Sequence, residues 1–419
     1  MIADRLRGKK EFLLFIVLLT FYTYFIQEAG WSQNARLDLT LSLARDQETH
    51  IDSYHQNTED KGRYGDHYYS YSAPGLSALG VGVYYAMDRL QGLGREDLIQ
   101  GSASPTPIAR YWLYLLTVFT VAGPSALLAV FLYRFLKMLR GATILPSLVV
   151  VACGLGTLVL PFSTLYYAHV TAALFAFAAF YTVFMIRSGQ EDRASLSLAG
   201  FLMGLAIVTE YQTALIGLAL FFYILAFRET RRAVARYLIG GLPLIGGLAY
   251  YNYVRFGNPL EFGYEYHVTW GRFFQPGVLG AFKLSLSALW AITFGAKGLF
   301  IQSPVLLLVP VGLGVMIGDK TYRREALFFI AVALLFLVFN ASWVVPNPMG
   351  GTSPGPRRLI PILPFVVVPL LFLPRGLRWL FVPLALYSVG AMILITALNP
   401  QVSEKIANPL MQYWWPSAW

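Results

Sequence analysis

Apolar runs of membrane-crossing length recur along almost the whole chain, separated by short clusters of arginine and lysine. From Arg110 to Phe135, for instance, the only charged residues are Arg110 and Arg134, and Lys137 and Arg140 follow at once. A spanning helix needs roughly 20 predominantly apolar residues, and inside hydrocarbon a helix satisfies all its own backbone groups. The expected fold class is therefore an all-α polytopic membrane protein. A hydrophobic fraction of 57% and a mean hydropathy of +0.56 agree with it. The net charge of +10 does not point to nucleic acid, because the basic residues sit between apolar runs, where they fix topology.

Arg5, Arg7, Lys9 and Lys10 place the N-terminus in the cytoplasm, and the run from Glu11 to Ala29, which lacks a small-residue cleavage site, reads as an uncleaved first span. The stretch that follows is thereby extracytoplasmic. Later runs alternate to match: Arg110 to Phe135, Thr143 to Pro161, Tyr166 to Ile186, two short segments meeting at Glu210, Tyr237 to Val254, Leu299 to Met316, Ala326 to Trp343, Leu359 to Leu373 and Leu377 to Leu398. This gives about eleven spans. The helix starting at Pro74 is short for a crossing, and a crossing there would put Arg134, Lys137 and Arg140 outside; it is expected at the outer interface. The expected organisation is a membrane module over 1–398, with outer loops at 30–109 and 255–298, and a short outer tail at 399–419. Cys153, the single cysteine, lies in an apolar run and reads as packing.

Only 13% of the chain is charged, yet Asp38, Asp46, Glu48, Asp52, Glu59, Asp60 and Asp66 all fall between Asn34 and Pro74. That concentration marks the first outer loop as a site. Asn34 to Glu48 is expected as a helix, with Asn34, Asp38 and Arg45 on one face and Leu37, Leu41 and Ala44 on a neighbouring one. Ile51 to Ser72 shows no period and reads as an irregular loop.

These residues resemble a known family. The acidic first outer loop, YGDHYYSYSAPGLS (Tyr64 to Ser77), TEYQTAL (Thr209 to Leu215), YNYVRFGNPLEFGY (Tyr251 to Tyr264), GLFIQSPVLLL (Gly298 to Leu308) and GGTSPGPRRLIPILPF (Gly350 to Phe365) are similar, in this order, to the GT-C integral-membrane glycosyltransferases. The prokaryotic relatives of protein mannosyltransferases and aminoarabinose transferases are the nearest in pattern. The resemblance implies two juxtamembrane helices in the first outer loop and a catalytic acid on the first of them, the position of Asp38. It also implies a polyprenyl-phosphate sugar donor, a lipid, glycan or protein acceptor, and a site at the extracytoplasmic face of a prokaryotic cytoplasmic membrane. The family's lysine before the second juxtamembrane helix has no counterpart, since Ser72 and Ala73 precede Pro74. Lys61, Lys297, Arg357 or Arg358 is then expected to hold the donor phosphate.

The chemistry asks for little. A phosphate departs readily, so one base for the acceptor hydroxyl and cations on the phosphate suffice. Asp38, Asp60 and Glu210 are the candidates for the base. Glu210 is notable because a carboxylate flanked by apolar segments is costly and needs a partner or a function; its alternative is a structural hydrogen bond at the helix break. Asp38 read structurally is a surface partner of Arg36 or Arg45, and Asp60 a loop turn. Arg357 and Arg358 suit paired hydrogen bonds to phosphate, with snorkelling at the interface as the alternative. Asn34, His67, Tyr68 and Tyr69 are candidates for sugar or headgroup contact. No His-Glu-x-x-His spacing is present, and no motif supports a divalent metal, although His55 and His67 with nearby carboxylates offer ligands. Two other functions fit the setting: a flippase for a lipid-linked saccharide, with broken helices along the path, and a polymerase or ligase of surface polysaccharide.

Overall fold

The computed structural model describes residues 2–91, 107–141, 143–271, 283–343, 348–403 and 405–417. Parts of both expected outer loops, 92–106 and 272–282, lie outside the described residues. Helix α1 (Ile2–Tyr24) leads into α2 (Trp31–Leu41), a hairpin of β1 (Lys61–Tyr64) and β2 (His67–Ser70), and α3 (Gly75–Gln91). Then come α4 (Arg110–Arg140), α5 (Leu145–Gly156), α6 (His169–Arg187), α7 (Leu196–Thr209), α8 (Ala214–Leu225) and α9 (Val234–Phe256). The described chain closes with α10 (Leu286–Thr293), α11 (Val309–Gly318), α12 (Arg323–Ser342) and α13 (Arg378–Leu398). Four of these segments, α4, α6, α12 and the one containing α13, are long and apolar enough to cross a membrane, and α5, α7, α8 and α11 belong to shorter apolar helices.

The basic clusters gather at one end of the bundle. Arg134 and Lys137, at the end of α4, both reach Glu11. Arg187, at the end of α6, pairs with the fully buried Glu325 at the start of α12, and Arg324 donates to the Ala226 carbonyl after α8 at 2.9 Å. The opposite end is tied by polar backbone contacts instead. Gln27 donates to the Thr396 carbonyl at 2.8 Å, Gln401 to that of Glu28 at 3.0 Å, and Arg255 to that of Ser70 at 2.8 Å.

Among apolar helices, burial alone gives weak selectivity, and close backbone approach between small residues does more. Helices α7 and α9 show this at two glycines: a Cβ on Gly200 would lie 1.9 Å from the Tyr237 carbonyl oxygen, and one on Gly240 would lie 2.0 Å from that of Ser197. Gly75 at the start of α3 is similarly placed, 2.5 Å by the same measure from the Val208 carbonyl, which seats the polar loop on the end of α7.

Three expectations change. The stretch Ile51 to Ser72 is not wholly irregular, because β1 and β2 pair antiparallel across a two-residue turn. Gly65 takes a φ of 60° at the first turn position, the glycine-dependent geometry of a tight hairpin. Helix α2 is buried from Gln33 to Leu41 on every face, so Asp38 is not the surface partner of Arg36 or Arg45 that its alternative reading describes. Leu359 to Leu373 is not one continuous helix: 3₁₀ turns at Arg357–Ile362 and Val368–Phe372 flank a short helix at Leu363–Val366. Pro361, Pro364 and Pro369 each remove a backbone donor and block α-helical continuation. The stretch is buried almost throughout, so its irregular backbone is enclosed by protein.

Candidate active site

The hairpin does more than fold the first loop; it captures the segment after α9. Gly62 forms an antiparallel bridge with His267, and the Val268 N–H donates to the Lys61 carbonyl at 3.0 Å. A Cβ on Gly62 would lie 3.3 Å from the Tyr266 carbonyl oxygen, so a residue without one lets the two strands close. This pairing brings Asp60, the residue before β1, against His267.

Asp60 is held from several sides. His267 Nε2 lies 3.1 Å from Oδ1, Ser32 at the start of α2 donates to Oδ2, and Tyr71 OH donates to Oδ2 at 3.4 Å. The His267 tautomer follows from its other nitrogen: Nδ1 accepts from the Thr269 and Trp270 N–H groups, each at 3.1 Å, so Nε2 carries the proton and donates to Asp60. Burial is the largest single influence on this carboxyl and pushes it up. The hydrogen bonds from His267 and Ser32 and the charge of Arg357 together outweigh burial and hold Asp60 below its ordinary range. It is an ionised, oriented acceptor.

Asp60 faces a cavity of about 770 Å³ at the end of the bundle away from the basic clusters. The lining comes from the α1–α2 junction (Gln27 to Ser32), from Tyr71, Tyr264, His267 and Trp270, from Gly350 to Thr352, from Arg357 and Arg358, and from the end of α13. Arg357 is 8% exposed and donates to Tyr167 OH at 2.9 Å. Its guanidinium also lies 4.9 Å from the Tyr167 ring centroid, and that of Arg36 lies 5.1 Å from it. Gly350 and Gly351 wrap Arg357 at φ 89° and 108°, a conformation that L side chains rarely adopt. Arg358 sits 5.2 Å from the Trp343 ring centroid. An oriented carboxylate and two guanidiniums facing one cavity can take a proton from a hydroxyl and hold a phosphate.

The structure brings Asp60, Arg357 and Arg358 together and places the other sequence-predicted residues elsewhere. Asp38 is fully buried in α2, where Asn57 donates to Oδ1 at 2.9 Å, and it does not line the cavity. Burial drives its carboxyl well above the ordinary range, against the Asn57 hydrogen bond and the Lys61 charge. Asn34 donates to the Asn57 carbonyl at 2.9 Å. Glu210 occupies the break between α7 and α8, with Oε2 2.9 Å from His169 Nδ1, and is not part of the cavity lining. Lys61 donates to the His55 carbonyl at 2.7 Å and Lys297 to the Ser403 carbonyl at 3.1 Å. His67 contacts Asp52 at 2.6 Å, Tyr68 stacks on His55 with centroids 3.9 Å apart, and Tyr69 lies under Arg255 at 4.7 Å. None of these five lines the cavity.

Sequence reasoning missed His267, Tyr71, Ser32 and Tyr167. The family-like stretch Tyr251 to Tyr264 stops three residues short of His267. A lone histidine in an aromatic run carries no local signal; only the hairpin bridge reveals its partner.

No protein-family model matches the chain, and no curated protein matches it. Among solved structures, the fold is similar to that of ArnT from Cupriavidus metallidurans bound to undecaprenyl phosphate, with a TM-score of 0.53 and 15% identity, covering 88% of this chain. The chain spans 60% of that protein. At that identity the likeness shows the fold, and it is the GT-C-like, mostly helical membrane architecture expected from the sequence.

Proposed function

We propose that this chain is an integral-membrane glycosyltransferase that moves a monosaccharide from a polyprenyl-phosphate donor to a lipid, glycan or protein hydroxyl at the extracytoplasmic face. The observation that carries this reading is the cavity in which Asp60, oriented by His267, faces Arg357 and Arg358. The ArnT-like fold supports the donor class, because that relative's structure holds undecaprenyl phosphate. The basic clusters at the far end support an orientation with the cavity outside. The same reading takes about eleven crossings, with α2 and α3 as juxtamembrane helices and 399–419 as an outer tail.

In the proposed step, the acceptor oxygen forms a bond to the sugar anomeric carbon as the bond from that carbon to the phosphate oxygen breaks. The hydroxyl proton passes to Asp60, and polyprenyl phosphate leaves with the electron pair. Arg357 and Arg358 hold the phosphate charge that develops. His267 keeps the Asp60 carboxylate aimed. Asp38 and Glu210 are assigned supporting roles, in packing of α2 and in the chain of contacts from Glu210 through His169 and Tyr167 to Arg357.

Purified protein incubated with radiolabelled polyprenyl-phosphate sugars and an acceptor extract tests the reading. Transfer of label to the acceptor, lost in Asp60→Asn, supports it. Movement of intact donor across a vesicle membrane without bond cleavage would establish a flippase instead.

A further inference from the structure

A second cluster of polar side chains, none of which lines the cavity, involves β2 and the segment after α2. His67 on β2 places Nδ1 2.6 Å from Asp52 Oδ2, and His50 places its own Nδ1 3.2 Å from the same oxygen. The three candidate ligand atoms lie within 4.8 Å of one another. The two imidazoles are nearly parallel, with centroids 4.4 Å apart and planes at 16°. Two imidazole nitrogens converging on one carboxylate oxygen form the donor set of a cation site, and the buried Nδ1 of His50 makes no hydrogen bond there.

The surroundings orient each group as a ligand. The other oxygen of Asp52 accepts the Tyr68 N–H at 2.6 Å, which leaves Oδ2 to point at the histidines. The other nitrogen of His50 lies 3.4 Å from Glu48 Oε2, at the distance of a long charge-assisted contact. A histidine whose outer N–H is turned to a carboxylate presents its inner nitrogen as a lone pair, the usual support for a metal-bound imidazole. A lone pair on His50 Nδ1 facing the Asp52 carboxylate is two acceptors in contact, and a cation between them resolves it.

We propose that His50, Asp52 and His67 form a divalent transition-metal site, with zinc as the best-matched ion. Neutral nitrogen donors with one carboxylate suit zinc, whereas magnesium and calcium take oxygen ligands. Metal bonds of about 2.0–2.1 Å in a tetrahedron space the ligand atoms about 3.3 Å apart. The His50 to Asp52 separation already fits, and the shorter His67 contact opens by about 0.7 Å when an ion replaces the shared proton. The fourth position falls to solvent beside the half-exposed His67. The ion joins the segment after α2 to β2, and so clips the hairpin whose first strand follows Asp60. Its role is to fix that hairpin, and the inference stands independently of the transferase reading.

Metal content decides it. Full-length protein in detergent, stripped with a chelator and titrated with Zn²⁺, is expected to retain about one ion per chain after gel filtration. Excess Mg²⁺ should not displace the zinc. His50→Gln and His67→Gln should each weaken zinc binding by at least tenfold, and the zinc-dependent rise in melting temperature should vanish in both. Unmodified protein loaded with Co²⁺ provides a check that needs no variant: visible absorption of a low-symmetry nitrogen and oxygen site is expected. No retained zinc in the unmodified protein, or zinc retained equally by both variants, would overturn the proposal.

Discussion

His267 Nε2 lies 3.1 Å from Asp60 Oδ1 although 207 residues separate the two in sequence. Because His267 Nδ1 accepts two backbone N–H groups, the ring is fixed as a donor toward Asp60. That contact and the Ser32 hydrogen bond hold the carboxyl below its ordinary value against the opposing effect of burial. The consequence is a base that stays ionised through the physiological range.

Replacing Asp60 by Asn keeps the shape and removes the basicity, so transfer should fall by roughly 100-fold or more while donor affinity changes little. The acid limb of kcat/KM against pH should lie below about 3.9, the ordinary aspartate value. His267→Gln removes a cause of the depression, so the limb should move upward in pH, a shift that a merely structural loss would not produce. The stability sign agrees: with a depressed folded-state pKa, the contribution of Asp60 is present above about pH 3.9 and is lost as pH falls through the folded value. A limb well above that range in the unmodified enzyme would rule out Asp60 as the base.

Arg357 and Arg358 make separable predictions. Arg357→Lys keeps a charge but cannot reproduce the fork that reaches Tyr167 while facing the cavity. Charged hydrogen bonds are worth about 1.5–3 kcal/mol, so each alanine variant should weaken donor binding by about 10- to 100-fold. Titration of donor into Asp60→Asn protein measures this without turnover. Unchanged affinity in all four lysine and alanine variants would place the phosphate elsewhere.

At the opposite end of the bundle, Glu325 is fully buried and is paired with Arg187. Removing one partner leaves an uncompensated buried charge, which costs about 3–5 kcal/mol. Arg187→Met should therefore lower the melting temperature markedly, and Arg187→Met with Glu325→Gln should restore much of the loss. Equal destabilisation in the single and double variants would mean that packing, not charge, sets the cost.

The helical class was legible in the sequence because apolar run length is a local signal, and so was the concentration of carboxylates between Asn34 and Pro74. Arg357 and Arg358 were legible as well, since two cations after a glycine- and proline-rich stretch stand out. The choice among carboxylates was not. Asp38 and Asp60 lie 22 positions apart in one acidic stretch, and only the hairpin puts one against a cavity and the other inside a helix packed on every face. The hairpin itself was hidden because its strands have four residues each and lack a run of β-branched side chains.

The orientation of the whole bundle is the remaining prediction, and it rests on where the basic ends gather. Arg134 and Lys137 share Glu11, Arg187 holds Glu325, and Arg324 caps the end of α8, so one end of the molecule carries these cations together. Basic residues near span ends are retained in the cytoplasm. Cys153 is fully buried and can be replaced by Ala before labelling. Single cysteines at Asp66, in the hairpin turn, and at Arg140, at the end of α4, are expected to react from opposite sides of sealed inside-out and right-side-out vesicles, with Asp66 reached from the outside. A third cysteine at Asp88 near the end of α3 should follow Asp66 under the proposed topology, in which α3, seated on the end of α7 through Gly75, is a juxtamembrane helix. Reaction of Asp66Cys and Arg140Cys from the same side would refute the orientation, and reaction of Asp88Cys with the Arg140 side would make α3, in place of α4, the net crossing between Asp66 and Arg140.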